Sequence, residues 1–210
     1  MVKYLYIVLI FISSTLSSSS QTLKRNITKD YFDSRGELLI KLYKKINNSS
    51  TYWETWNTDG LNAIVHWGTI GFKGNVLFIK TKTHNNLKDS LNSQITDKLK
   101  EGFSQIPFEK QFTLAITFKL KTWGTPEYLT KREEYRNIIT EHLRWTGNGR
   151  CDDGDIGSGE MTLYAEVIDP YLAIKTIPQE FKLKKITANY YFTISQGDKI
   201  LKEKILPSPN

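Results

Sequence analysis

The chain holds one cysteine, Cys151, in 210 residues. That excludes an intramolecular disulfide and any zinc site built on a cysteine cluster. Six prolines and 13 glycines are too few for a collagenous or low-complexity chain. No apolar run reaches the roughly 18 to 20 residues of a membrane-spanning helix, so a multi-pass membrane protein is excluded. A nucleophile elbow, a zinc-protease motif and a dinucleotide fingerprint are also missing. What is present is a 39% hydrophobic composition with 12% aromatic residues, which is incompatible with wholesale disorder. The length allows one large domain or two small ones, each with a core.

The first segment reads as an address. Lys3 supplies a positive start, Tyr4 to Ile12 is almost unbroken apolar sequence, and Ser13 to Ser20 is small and polar. This is the order of a secretory signal peptide. The expected outcome is removal of residues 1–20, a mature start near Gln21 and an exported protein without a membrane span. A lone thiol fits an oxidising compartment because it has no internal partner to mispair with. The formal charge is +7, and the excess sits on the first half: residues 21–107 carry 13 Lys and Arg against 8 Asp and Glu. Residues 108–210 carry 15 against 14.

Periodicity divides the mature chain into an α+β unit over residues 21–107 and a second α+β unit over residues 108–210. In the first, strands are predicted around Leu38–Tyr43, Tyr52–Trp56, Ala63–Trp67 and Val76–Thr81. Leu87, Leu91, Ile95 and Leu99 then recur every four residues, giving one covering helix that Gly102 ends. In the second, Phe112, Leu114, Ile116, Phe118 and Leu120 alternate as a strand. Thr125-Pro126-Glu127 opens a helix whose stripe is Tyr128, Tyr135, Ile138, Ile139 and Leu143. A polar, glycine-rich loop is expected from Thr146 to Glu160, then a strand over Met161–Ile168. A short helix from Asp169-Pro170, a strand over Ile186–Ile194 and an edge strand over 199–205 complete the unit.

The first unit resembles the WGR domain, a small module of poly-ADP-ribose polymerases and many bacterial proteins. The resemblance is carried by Tyr52-Trp53-Glu54-Thr55-Trp56, His66-Trp67-Gly68-Thr69-Ile70-Gly71 and Lys73-Gly74-Asn75, with a close at Asp97 to Phe103. It covers about residues 37–103 and implies a small antiparallel sheet with one helix. In that family the Trp-Gly-Arg segment lies against the DNA backbone, but here the arginine position is Thr69. A hydroxyl supplies neither the charge nor the donor fork of a guanidinium. On their own chemistry, Trp53 and Trp67 are expected to share a core, and Gly68, Gly71 and Gly74 to permit positive φ in tight turns. The strand and helix order of the second unit resembles a ferredoxin-like sheet. Its segment Leu143 to Met161 is similar to one in uncharacterised bacterial proteins of that type.

Three constellations are candidates for function. The expected loop from Trp145 to Glu160 anchors through Trp145 and Ile156 and exposes Asn148, Arg150, Asp152, Asp153 and Asp155 as a mixed-charge recognition face. Its carboxylates suit a hard cation, but their spacing fails the EF-hand pattern, and neither a metal nor a cofactor is expected. Lys41, Lys44, Lys45, Lys73, Lys80 and Lys82, interleaved with Tyr43 and Phe72, are the candidates for a basic face on nucleic acid. Lysines on edge strands also block sheet-to-sheet aggregation, and export favours that role. His142 and Cys151 flank the loop without a third orienting group, so a buried thiol is preferred to a nucleophilic pair. The resulting expectation is an exported, non-enzymatic binding module whose partner is a protein or an envelope polymer. The alternative is a nucleic-acid-binding protein.

Overall fold

The computed structural model describes residues 29–47, 49–122 and 125–207. The expected leader and cleavage point lie outside them. The fold is α+β, with two antiparallel sheets of four and five strands and three α-helices.

The four-stranded sheet is a meander in the order β1-β2-β3-β4. Its strands are β1 (Leu39–Ile46), β2 (Ser49–Asn57), β3 (Asn62–Thr69) and β4 (Asn75–Lys80). Helix α1 (His84–Lys100) begins at Thr83, whose hydroxyl accepts the Asn86 N–H. It ends in a Schellman closure at Gly102, which has φ +91°; the Gly102 and Phe103 N–H groups donate to the Leu99 and Lys98 carbonyls. Leu87, Leu91 and Ile95 of α1 pack on Leu38, Leu42, Trp53, Ala63 and Val65 to make the first core. The periodic stripe is correct over its first three members, while Leu99 lies in the last turn and is exposed. Trp53 is in this core, but Trp67 opposite it is not fully covered and stays 36% exposed. The two indoles are cross-strand neighbours at the margin of the helix's footprint rather than a shared centre.

The five-stranded sheet has the order β6-β7-β5-β8-β9. Its strands are β5 (Phe112–Lys119), β6 (Gly149–Gly157), β7 (Glu160–Val167), β8 (Tyr190–Gln196) and β9 (Lys199–Ile205). Helix α2 (Pro126–Trp145) links β5 to β6, and α3 (Pro170–Leu183) links β7 to β8. Both helices cover one face, closing a core of Leu114, Ile116, Phe118, Leu143, Leu163, Phe181, Phe192 and others. Thr125 starts α2 in extended geometry without a side-chain cap bond, whereas Asp169 caps α3 by accepting the Leu172 N–H.

The expected loop from Thr146 to Glu160 is a correction. Most of it is β6, paired antiparallel with β7 along its length and joined to it by the tight turn at Ser158-Gly159. Its period of two is broken by a bulge between Cys151 and Asp153. The bulge lets Cys151, Gly154 and Ile156 oppose Ala165, Leu163 and Met161 on the core side. At Gly154 a side chain would collide with Leu163, so glycine is required there by packing. The strand is an edge, and its aspartates and bulge discourage further pairing.

Candidate functional site

Residues opposed in antiparallel register share a face. On the face of the four-stranded sheet turned away from α1, three rows run across the strands. The first is apolar: Leu39 opposes Trp56, Trp56 opposes Ile64, and Ile64 opposes Phe78. The second is ionic: Lys41 opposes Glu54, and Glu54 opposes His66. In the third, Tyr43 opposes Tyr52, and Tyr52 opposes Gly68.

The row is bonded through, with Glu54 and His66 buried and Lys41 partly exposed. Glu54 Oε1 lies 2.7 Å from His66 Nδ1, and Glu54 Oε2 lies 3.1 Å from Lys41 Nζ. His66 Nε2 is 2.9 Å from Tyr52 Oη. Burial pushes the Glu54 carboxyl up, but the hydrogen bond from His66 and the Lys41 ammonium outweigh it and hold the group below its usual range. With Glu54 ionised, Nδ1 donates to it, and in the neutral ring Nε2 accepts the Tyr52 hydroxyl. Burial pushes the Tyr52 phenol well above its ordinary value, with the Glu54 charge adding to it.

The second unit meets this face through the C-terminal end of α2. The Trp145 ring stands edge-on to His66, with centroids 5.2 Å apart. The last carbonyls of a helix lack intrahelical partners. Here the Gly71 N–H donates to the Thr146 carbonyl at 2.9 Å, and the Gly74 N–H donates to the Trp145 carbonyl at 3.3 Å. The glycines between Gly68 and Gly74 act mainly by leaving space. Gly71 has φ +88°, as expected, but Gly68 and Gly74 do not lie in the left-handed region. A side chain at Gly74 would overlap the Tyr52 hydroxyl, and one at Gly147 would overlap the Tyr52 ring. Thr69 opposes Thr51 at the end of β3.

Between the sheet face and α2 lies a cleft of about 310 Å³, lined by Leu39, Lys41, Glu54, Trp56, His66, Arg144 and Trp145. This volume is near the lower end for small-molecule sites. Leu39 and Lys41 also border a second groove toward Phe108, Arg150 and Glu166.

The residues singled out from sequence are dispersed. Trp145 lines the cleft and is 40% exposed. Asn148, expected on the surface, is completely buried. Its side chain accepts the Asp169 N–H at 2.8 Å and donates to the Asp169 carbonyl at 2.9 Å. It thus staples the start of β6 to the start of α3. Arg150 and Asp152 pair at 2.6 Å, Asp153 accepts the Gly154 N–H, and Asp155 accepts the Tyr164 hydroxyl. Among the described residues no cluster of three or more His, Cys, Asp or Glu side chains is placed to hold a metal.

The six lysines do not form one face. Lys41, Lys44 and Lys45 lie on β1, while Lys80 ends β4 and Lys82 follows it, at opposite edges of the sheet about 14 Å apart. Lys41 is held by Glu54, Lys44 donates to the Glu101 carbonyl, and Lys73 sits in the β3–β4 connection. Cys151 and His142 are likewise separate. The thiol is aimed at the Asp153 carbonyl, and burial pushes it up to about 12. His142 lies 3.6 Å from Glu180, with no hydrogen bond to either ring nitrogen.

Sequence reasoning does not single out Glu54, Trp56 and His66 as site residues, and it takes Lys41 only as one of the six candidate lysines of a basic face. The available signal was the odd-numbered alternation on β1 against the even-numbered alternation on β2. It places a charge, an acid and an aromatic on one face once register is known. No family model matches the chain, and no curated protein or solved structure matches it.

Proposed function

We propose that the chain is an exported, non-enzymatic binding protein, built from a WGR-like unit and a ferredoxin-like unit, that recognises an envelope component through the cleft between them. The cleft is the observation that supports this. Its walls are Leu39, Trp56 and Trp145, its floor is the bonded Lys41–Glu54–His66 row, and it opens to solvent. Sites of this composition bind by apolar contact and orient by a few polar groups. Chemistry is poorly served there. Both His66 nitrogens already have partners, Tyr52 is buried with its hydroxyl committed to His66, and among the described residues no free nucleophile lines the cleft.

A nucleic-acid reading draws less support, because Thr69 and the separated lysines offer no continuous phosphate track. The test is retention of solubilised native envelope components on immobilised protein. Leu39→Asp and Trp145→Ala alter the cleft while leaving both cores intact. A component retained by the unaltered chain and lost in both variants supports the reading. Retention indifferent to both substitutions, or salt-sensitive retention of nucleic acid alone, overturns it.

A further inference from the structure

Resting on the reading of the cleft as the recognition site, we infer that its ligand is a single-chain acyl carboxylate, with the head at Lys41 and Arg144 and the tail along the apolar row toward Phe78.

The head end is argued from its donors. Lys41 Nζ gives one contact to Glu54 and retains further N–H groups. Among the described residues the Arg144 guanidinium has no ion-pair or hydrogen-bond partner. The indole N–H groups of Trp56 and Trp145 are also without one. The only carboxylate of the cleft, Glu54, already has His66 on one oxygen and Lys41 on the other. The α2 carbonyls that would repel an anion are covered by the Gly71 and Gly74 N–H groups. The opening therefore presents donors and net positive charge to whatever enters, and the complementary group is an anionic acceptor.

The tail end is argued from the row. Leu39 and Trp56 belong to the cleft wall, and register continues them through Ile64 to Phe78 without interruption. Leu39 is 57% and Phe78 76% exposed, and nothing in the chain's described residues covers them. Four strands span about 14 Å, and an extended chain advances roughly 1.25 Å per methylene from bond lengths near 1.5 Å. A chain of about a dozen carbons matches that track. A compact aromatic acid would fill the cleft and leave the row bare.

The experiment titrates the purified chain with monomeric laurate, octanoate and 1-dodecanol, by calorimetry and tryptophan fluorescence. A fully buried methylene contributes roughly fourfold in affinity, and a half-open track about half of that on a logarithmic scale. Laurate is expected to bind on the order of tenfold tighter than octanoate, and dodecanol at least tenfold weaker than laurate. Arg144→Gln should erase the preference for laurate over dodecanol. Phe78→Ser should erase the preference for laurate over octanoate with an unchanged melting temperature. Equal binding of laurate and dodecanol, indifference to Arg144→Gln, or attachment only to anionic vesicles overturns the inference. If an aromatic acid such as 2-naphthoate binds in the cleft and laurate does not, the acyl assignment falls while the cleft remains the recognition site. If neither binds and the envelope capture also fails, both fall.

Discussion

On the five-stranded sheet, the face turned away from α2 and α3 carries Thr113, Thr117, Thr162, Tyr164, Glu166, Thr193 and Ser195. On the four-stranded sheet, the face turned away from α1 carries Leu39, Trp56, Ile64 and Phe78 beside the ionic row. The first is the alternation of a sheet that folds to cover one side and wet the other. The second leaves apolar area in water, which a monomeric domain has no folding reason to keep. The larger buried core lies in the second unit, and the exposed apolar row lies on the first.

The largest test of that division is a pair of core truncations. Phe192→Ala, in the middle of the larger core, should cost about 3–5 kcal/mol, and Leu91→Ala beneath α1 about 2–5 kcal/mol. Chemical denaturation followed by far-ultraviolet circular dichroism reads both. If each substitution shifts only part of the transition, the units unfold separately. If both shift one common transition, the contact at Trp145 and Gly74 couples them and the comparison must be redrawn as one cooperative body.

That contact can be probed where the two units are closest. Gly147 has φ +62° and lies against the Tyr52 ring. Gly147→Ala should cost about 1–3 kcal/mol through overpacking. Tyr52→Ala removes the ring that the new methyl strikes, so the double variant should lose less than the sum of the singles. Additive losses would show that the strain lies in the Gly147 backbone alone.

How much of this was legible beforehand depends on how local the cause is. The strands of the first unit, α1 with its Gly102 closure, and α2 and α3 with their prolines follow from short-range periodicity and turn chemistry. Strand β6 does not. Only Cys151 and Ile156 are apolar in it, Gly154 faces inward by register where Leu163 and the Thr162 carbonyl leave no room for a side chain, and the bulge shifts the alternation midway. Five glycines and three aspartates in 16 residues therefore looked like a loop. Asn148 carried no sign of burial because its partner, Asp169, is 21 residues away. The cleft was hidden for the same reason: Lys41, Glu54 and His66 meet only through strand register, and Trp145 joins them only through docking of the second unit.

A smaller effect concerns pH. His142 lies between α2 and α3 with Glu180 beside it. Burial, reinforced by the Lys73 charge, pushes its ring below the ordinary value despite Glu180. The unfolded chain then binds the proton more readily than the folded one. Stability is therefore full above the unfolded value near 6.5 and declines as pH falls from there toward the folded value. The slope is at most about 1.4 kcal/mol per pH unit. His142→Leu should flatten the stability profile between pH 7 and pH 5, and Glu180→Gln should deepen it. A profile unchanged by His142→Leu would place the titration elsewhere.

The smallest expected change in stability comes from making the first sheet's outer face resemble that of the second. Phe78→Thr keeps a strand-favouring residue on β4 and removes a ring that is 76% exposed. Surface substitutions of this kind usually fall within about 0.5 kcal/mol, so the denaturation midpoint should barely move. Retention on a phenyl matrix should nonetheless fall, because the ring ends the only uninterrupted apolar row on that face. A loss above about 1 kcal/mol would mean that Phe78 is packed against something in solution. Dependence of the midpoint on protein concentration would then identify it as a second copy.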